Sequence, residues 1–211
     1  MAEAHDKGLV HRDIKPSNVM ICERQGFADF VKVLDFGLAK RVGPQADGGL
    51  SSPNVVVGTP HFMAPEAAYG HDGFGPPADV YGVGLVGYFL LTGETVFDGT
   101  TPLALALAHV SEPPVPPSLR ASQSVPRALE ALIMRCLSKK PVERFKDGAE
   151  LLTAIDQCDV GAPWTARMAE EWWRDAGRAV VAARTARQAG AKPKHKSFSL
   201  APTERLLGMG A

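Results

Sequence analysis

The chain has 211 residues, of which 45% are hydrophobic and 22% charged, so it is long and apolar enough for one domain with a sizeable core. Its formal net charge is +0, which excludes a general electrostatic attraction to nucleic acid or to anionic membranes. Cys22, Cys136 and Cys158 are widely spaced, which fits neither a zinc site nor a disulfide framework and predicts buried free thiols.

The first predicted element is the end of a helix, within the ten residues that precede His11. Residues 11–18 follow and read H-R-D-I-K-P-S-N. Phosphoryl transfer requires a carboxylate near the attacking hydroxyl, metal ions that neutralise phosphate charge, and rigid positioning. Asp13 can accept the hydroxyl proton, Lys15 can reach the transferring phosphate as a point charge, and Asn18 offers an oxygen to Mg²⁺.

Two further motifs follow in chain order. A short strand is predicted over residues 31–34, and D-F-G follows it at residues 35–37. Asp35, at the end of a strand and beside the permissive Gly37, is typical of a magnesium ligand on a mobile loop. The third motif, G-T-P-H-F-M-A-P-E, occupies residues 58–66.

The order of H-R-D, D-F-G and A-P-E resembles the protein kinase superfamily, specifically the bacterial serine/threonine kinases of the eukaryotic-like type. The resemblance runs from the start of the chain to about Cys158. It implies the larger, mainly α-helical lobe of this α+β fold, with a small β element near Val19 and Val31. It also implies transfer of the ATP γ-phosphate, with Mg²⁺, to serine or threonine of a protein substrate. The implied site residues are the base Asp13, the phosphate contact Lys15, and the metal and cofactor ligands Asn18 and Asp35.

The same resemblance assigns supporting roles to residues outside the catalytic loop. Asp79 is expected to anchor the backbone of that loop from a buried helix. Glu66, in A-P-E, is expected to pair with Arg144, which joins the substrate-binding segment to the end of the domain. The other structural residues of the motifs are His11, Phe36 and Gly37.

Substrate class and control are also implied by the resemblance. Lys15 and Thr59 mark the serine/threonine branch, and Thr59 is expected to bond to Asp13 and Lys15. Arg12 is expected to hold a phosphate on the activation segment. Ser51 and Ser52 are candidate phosphosites in a glycine-rich stretch, and a merely solvated serine pair is the alternative.

Residues 82–87 read G-V-G-L-V-G, which matches the spacing of a phosphate-binding loop. Such a loop should join two strands and precede a strand lysine, whereas this segment lies in an apolar stretch from about Ala78 to Leu91. A buried helix is therefore predicted. Further helices are predicted over residues 102–110, 126–137 and 148–157 from their apolar spacing.

In the family, the glycine-rich loop, the strand lysine and the helix glutamate precede H-R-D, where this chain has only ten residues. The isolated chain is therefore expected to bind ATP poorly. Three interpretations stay open: a truncated kinase that is inactive alone, an active kinase whose true start codon lies upstream, and a kinase lobe that serves as a non-catalytic protein-interaction module.

The catalytic lobe is expected to cover residues 1–158, followed by a helical extension over 159–187 and a disordered basic tail over 188–211. Thr165 is predicted to cap the helix of the extension. The tryptophans there, Trp164, Trp172 and Trp173, are expected to dock on the lobe or on a partner. No nucleic-acid partner is expected. The sequence shows neither a signal peptide nor a membrane span, so a cytoplasmic location is expected.

Overall fold

The computed structural model describes residues 1–24, 27–35, 40–41, 60–68, 74–161, 163–179 and 182. The chain divides into two compact units, Met1–Trp164 and Thr165–Ala211. The first unit is mainly α-helical with a small amount of β-structure, as the sequence predicts.

Two antiparallel strand pairs form the β-structure near the start of the first unit. Strand β1 (Leu9–Val10) pairs with β4 (Lys40–Arg41), and β2 (Val19–Arg24) pairs with β3 (Phe27–Val33). Ile21 lies opposite Val31 in the second pair, so the strand predicted over residues 31–34 is confirmed, although it begins earlier, at Phe27, and ends at Val33. The segment 11–18 connects β1 to β2 and is therefore held between the two pairs.

In the described part of the first unit, the α-helices are α1 (Ala2–Asp6), α2 (Pro65–Ala68), α3 (Pro76–Thr92), α4 (Pro102–Ser111), α5 (Arg127–Cys136) and α6 (Gly148–Asp156). Helices α3 to α6 lie close to their predicted limits, whereas the short helix α2 was not predicted. Prolines occupy the first turns of α3 and α4, where a missing N–H costs no helical hydrogen bond. Helix α3 ends at Gly93, whose φ of 75° lies in the left-handed region that favours glycine.

Helix α3 is at the centre of the core of the first unit. Tyr81, Leu85 and Tyr88 on this helix are at most 1% exposed. A Cβ added at Gly82 would lie 2.8 Å from the Ile14 Cβ, so the missing side chain lets α3 approach the loop that carries Asp13. The G-V-G-L-V-G segment lies within α3, and the prediction of a buried helix is confirmed.

The glycines of α3 provide a matched stability test. A Cβ at Gly84 would lie 2.7 Å from the Cys136 Cβ, whereas a Cβ at Gly87 would lie 3.3 Å from the terminal methyl of Ile133. We expect Gly84→Ala to lower the free energy of unfolding by about 1–3 kcal/mol through overpacking. Gly87→Ala should cost less, because the flexible end of Ile133 can move and alanine favours a helix. Urea unfolding of both variants measures the difference, and equal losses would contradict the packing described here.

The cysteines are free, and they differ in exposure. Cys136 is buried beside Phe145, and burial raises the pKa of its thiol to about 12. Cys22 and Cys158 are only half-buried, so the prediction of buried thiols is correct for Cys136 alone.

The second unit begins with helix α7 (Ala166–Trp172), and a π-helical turn (Trp173–Gly177) follows it. The Thr165 hydroxyl accepts a hydrogen bond from the backbone N–H of Met168 at 3.3 Å, so the predicted cap is confirmed. The rings of Trp172 and Trp173 meet edge to face with centroids 5.1 Å apart.

Trp164 lies before α7 rather than on it, and it belongs to the first unit. Its indole N–H donates to Asp29 Oδ2 on β3 at 2.8 Å. The three tryptophans therefore do not lie on one helix. The predicted tail, residues 188–211, lies outside the described residues.

Candidate active site

The H-R-D segment forms an irregular loop after β1 and ends in a 3₁₀ turn, Pro16–Asn18. The Lys15 ammonium donates to Asp13 Oδ2 at 2.6 Å. The Asn18 side-chain amide donates to the same oxygen at 3.0 Å and to the backbone oxygen of Asp13 at 2.8 Å. Two of the predicted catalytic side chains, Lys15 and Asn18, therefore converge on the half-buried carboxylate of the third, Asp13.

The backbone of this loop is hydrogen-bonded to the side chain of Asp79. Asp79 lies in the first turns of α3 and is 1% exposed. Asp79 Oδ2 accepts from the backbone N–H of His11 at 2.7 Å, and Oδ1 accepts from that of Arg12 at 2.6 Å. Arg12 has a φ of 67°, a left-handed conformation that is strained for a residue with a side chain. The two charge-assisted bonds offset that strain immediately before Asp13.

His11 links the loop to the end of β3. The backbone N–H of Asp13 donates to His11 Nδ1 at 3.2 Å, so Nδ1 acts as an acceptor and the ring proton lies on Nε2. Nε2 donates to the Leu34 carbonyl at 2.8 Å. The N–H of Leu34 donates in turn to the Asn18 carbonyl at 2.8 Å. Asp35 follows directly with an exposed side chain and a φ of 65°. The backbone therefore places Asp35 beside the Asn18 end of the loop.

The guanidinium of Arg12 lies against Phe74, just before α3. Its Nη2 donates to the Phe74 carbonyl at 3.3 Å, and its central carbon lies 4.9 Å from the centroid of the Phe74 ring. A small cavity opens beside this pair and the Asp13 carboxylate. Its lining includes Arg12, Asp13, Phe62, Met63, Ala64 and Phe74.

Glu66 and Arg144 form a bidentate ion pair between α2 and the segment before α6. The two guanidinium nitrogens donate to the two carboxylate oxygens at 2.7 and 2.8 Å, and the Arg144 side chain is 0% exposed. The guanidinium also lies 4.7 Å from the centroid of the Tyr81 ring. Burial raises the pKa of Tyr81, which keeps this phenol neutral beside the pair.

Some predicted residues fall outside the described residues. They are Phe36, Gly37 and Thr59, together with the candidate phosphosites Ser51 and Ser52. The predicted contact of Thr59 with Asp13 and Lys15 stays a prediction.

One residue beside the site was not predicted from the sequence. His5 on α1 lies with its Nε2 at 3.0 Å from Asp79 Oδ2, and its side chain is 3% exposed. A histidine in a short helix carries no local signal that separates a buried residue from an exposed one. The only available signal was its position six residues before His11, on the element that leads into the loop.

Comparison with known proteins agrees with this geometry. The family profile described as the protein kinase domain matches residues 1–154. The chain belongs to the protein kinase family. The family resemblance predicted from the three motifs is therefore confirmed.

Several bacterial kinases are similar to this chain. The chain is 43% identical over 155 residues to the serine/threonine-protein kinase Pkn1 of Myxococcus xanthus, covering 72% of this chain and 21% of the relative. It is 41% identical over 146 residues to pkn3 of the same organism, covering 68% and 26%. It is 37% identical over 162 residues to PknB of Mycobacterium tuberculosis, covering 76% and 24%. The matched region thus spans about a fifth to a quarter of these kinases.

The donors at the site fit the magnesium ion that the kinase family implies. Asn18 uses its amide nitrogen on Asp13 and so has its side-chain oxygen available as a ligand, while the Asp35 carboxylate is exposed. Among the described residues, no group of three or more His, Cys, Asp or Glu side chains is placed to hold a metal. Mg²⁺ is usually coordinated by only one or two protein side chains, and substrate phosphates and water provide the other ligands. The two oxygens of Asn18 and Asp35 are therefore enough.

Within the described part of this kinase chain, none of the helices is both long enough and apolar enough to cross a membrane.

Proposed function

We propose that this chain supplies the catalytic loop of a serine/threonine protein kinase, with Asp13 as the residue that accepts the proton of the substrate hydroxyl. The observation that carries the proposal is the convergence of Lys15 and Asn18 on Asp13 Oδ2, at 2.6 and 3.0 Å. Both neighbours donate to the carboxylate, so they fix its orientation. A carboxylate held at a fixed position and orientation is what a base in phosphoryl transfer requires.

Each residue then has one task. The substrate hydroxyl loses its proton to Asp13 as its oxygen bonds to the γ-phosphorus and the bond to the β-phosphate oxygen breaks. Lys15 places a positive charge beside the transferring group. Asn18 and Asp35 would hold Mg²⁺, which would neutralise phosphate charge there. The anchoring of His11 and Arg12 by Asp79 keeps the base at a fixed position.

The acceptor class is proposed as serine or threonine of a protein. Lys15 in the catalytic loop supports this class, and Pkn1 and PknB are named serine/threonine-protein kinases. We further propose that the Arg12 guanidinium forms an ion pair with a phosphate on the activation segment. Ser51 and Ser52 are the candidate residues that carry this phosphate. A phosphate there would compete with Phe74 for the guanidinium.

A second candidate function is a non-catalytic interaction module. Leu103 and Leu107 lie one turn apart on α4 and are 66% and 57% exposed, which gives this helix an outward apolar face. The two functions differ in whether Asp13 matters. A module would bind its partner equally well without the Asp13 carboxylate.

Asp13→Asn tests the catalytic proposal. Asparagine keeps the size of the side chain but is not a proton acceptor, so we expect phosphate transfer to fall by about 10²–10⁴-fold. Transfer from Mg–ATP to a generic protein substrate is measured with this chain and with the product of its upstream-extended reading frame. Asp156→Asn, an exposed carboxylate at the end of α6, is the matched control and should leave transfer unchanged.

Two outcomes would count against catalysis. Unchanged transfer in Asp13→Asn would remove the role given to Asp13. Absence of transfer from both forms of the protein, with partner binding retained, would favour the interaction module.

A further inference from the structure

The segment that follows α6 returns to the β2–β3 hairpin through the side chain of Trp164. The indole Nε1–H donates to Asp29 Oδ2 at 2.8 Å, and the two residues are 135 positions apart in the sequence. Nε1–H is the single polar group of an indole, and it can only donate. Because its acceptor is a carboxylate, this hydrogen bond is stronger than one between two neutral groups.

The contact is made by a residue outside the matched kinase domain. The family profile ends at residue 154, whereas the first compact unit continues to Trp164. Trp164 is 56% exposed, so much of its ring stays in water and burial accounts for only part of its attachment. The hydrogen bond to Asp29 is therefore the specific element of this contact.

A β-bulge in β3 presents the Asp29 side chain. In the hairpin, Cys22 lies opposite Phe30, and the next pair toward the turn is Arg24 with Phe27. Between these two pairs β3 has two residues and β2 has one, and Asp29 is one of the two. An extra residue bends a strand and redirects its side chains from the regular alternation. The register of the hairpin therefore determines where this acceptor lies.

The path from α6 to Trp164 turns sharply and is stiff. Asp159 Oδ1 accepts from the backbone N–H of Gly161 at 3.0 Å, and Gly161 has a φ of 83°, in the left-handed region that favours glycine. Pro163 then restricts the backbone directly before Trp164. Because a stiff segment loses less conformational entropy when its side chain binds, the hydrogen bond has a smaller cost to offset.

The hairpin is not stabilised by burial alone. In the described part of the chain its sheet has two strands, and a two-stranded hairpin by itself is at best marginally stable in water. Ile21 and Val31 lie opposite each other and are 54% and 57% exposed. At the inner end, the N–H of Leu34 donates to the Asn18 carbonyl at 2.8 Å. The contact at the bulge supports the outer end, which is farther from the catalytic loop.

We propose that the Trp164–Asp29 hydrogen bond is a latch, which holds the segment after α6 on the bulge and keeps the outer end of the β2–β3 hairpin closed. When the latch opens, the segment and the outer hairpin gain mobility together. The same hairpin leads from Asn18 to Asp35, so the latch joins the segment beyond the kinase domain to the strands that position both residues. It is a property of the folded chain and does not depend on phosphate transfer.

Two single variants and their combination test the latch in the full chain. Trp164→Phe keeps an aromatic ring and removes the N–H donor, while Asp29→Ala removes the acceptor. Because both variants break the same bond, the double variant should behave like either single one. Trp172→Phe is the matched control, since Trp172 is also partly exposed, at 41%, and its ring contacts Trp173.

Hydrogen exchange, read residue by residue by NMR, is the deciding measurement. The indole N–H signal that is lost in Trp164→Phe belongs to Trp164, and its exchange should become about tenfold faster in Asp29→Ala. Backbone amides of residues 20–22 and 30–32 should exchange about three- to tenfold faster in both single variants, and no faster than that in the double variant. Trp172→Phe should leave these rates unchanged. An indole signal that does not respond to Asp29→Ala, or hairpin amides that keep their wild-type rates in Trp164→Phe, would overturn the proposal.

The wild-type chain gives a second test, which does not require any variant to fold. With Nε1 and Oδ2 at 2.8 Å, the indole N–H of Trp164 should show a nuclear Overhauser effect to the Cβ protons of Asp29. Its absence in the folded protein would contradict the latch. Because neither test measures phosphate transfer, a failure here is distinct from a failure of the kinase activity.

Discussion

Replacing Arg144 with methionine is expected to lower the free energy of unfolding by about 3–5 kcal/mol, which is typical of a buried ion pair that loses one partner. The loss is large because the guanidinium satisfies several acceptors at once. It donates to Glu66 and to the carbonyls of Pro77, Ser138 and Lys139. Methionine fills much of the volume but removes every one of these donated hydrogen bonds.

The matched control is Arg135→Met. Arg135 also forms an ion pair at 2.7 Å, with Glu150, but its side chain is 47% exposed. Urea unfolding should show a much smaller loss there, because water replaces the lost partner. Arg144→Lys should restore only part of the stability, since an ammonium cannot donate in a fork to both Glu66 oxygens. Equal losses in the two arginine variants would mean that burial does not decide the strength of the Glu66 pair.

Asp79→Ala is expected to cost about 2–6 kcal/mol, since each buried N–H left without an acceptor costs about 1–3 kcal/mol. The donors concerned are the backbone N–H groups of His11 and Arg12, at 2.7 and 2.6 Å from the carboxylate. The variant should also release the strained backbone at Arg12. We therefore expect lost stability and lost phosphate transfer together, measured by urea unfolding and by the transfer assay.

Asp147→Ala is the control for this second prediction. Asp147 also accepts from two backbone N–H groups, those of Ala149 and Glu150, each at 2.9 Å. It caps α6 at the surface, so its loss should cost only about 1 kcal/mol and should leave phosphate transfer unchanged. A cost at Asp79 no larger than that at Asp147 would show that the loop N–H groups find other partners.

The chemistry of the catalytic loop could be predicted because it is local. Asp13, Lys15 and Asn18 lie within six residues, so any compact loop brings their side chains close together. The helices could be predicted because apolar spacing and the prolines of the first turns are also local signals. The G-V-G-L-V-G segment was correctly predicted as a helix from its apolar surroundings.

Contacts between residues far apart in the sequence could not be predicted from local sequence patterns. Glu66 and Arg144 are 78 residues apart, and their pairing was predicted only through the family resemblance. His5 is 74 residues from Asp79 and 143 residues from Gly148, and neither contact was predicted. The bond from Trp164 to Asp29 spans 135 residues and was missed for the same reason.

The sequence by itself determined the family, the helices and the set of groups on the catalytic loop, since these depend on residues close together in the chain. The family resemblance also placed Asp79 under the loop and Arg144 against Glu66. Only the tertiary structure decided the other buried or long-range polar contacts, including those of His5 with α3 and α6 and that of Trp164 with Asp29. The physical reason is that burial and hydrogen-bond partners are set by which surfaces meet when the chain folds. A histidine or arginine has the same local pattern whether it faces the core or water.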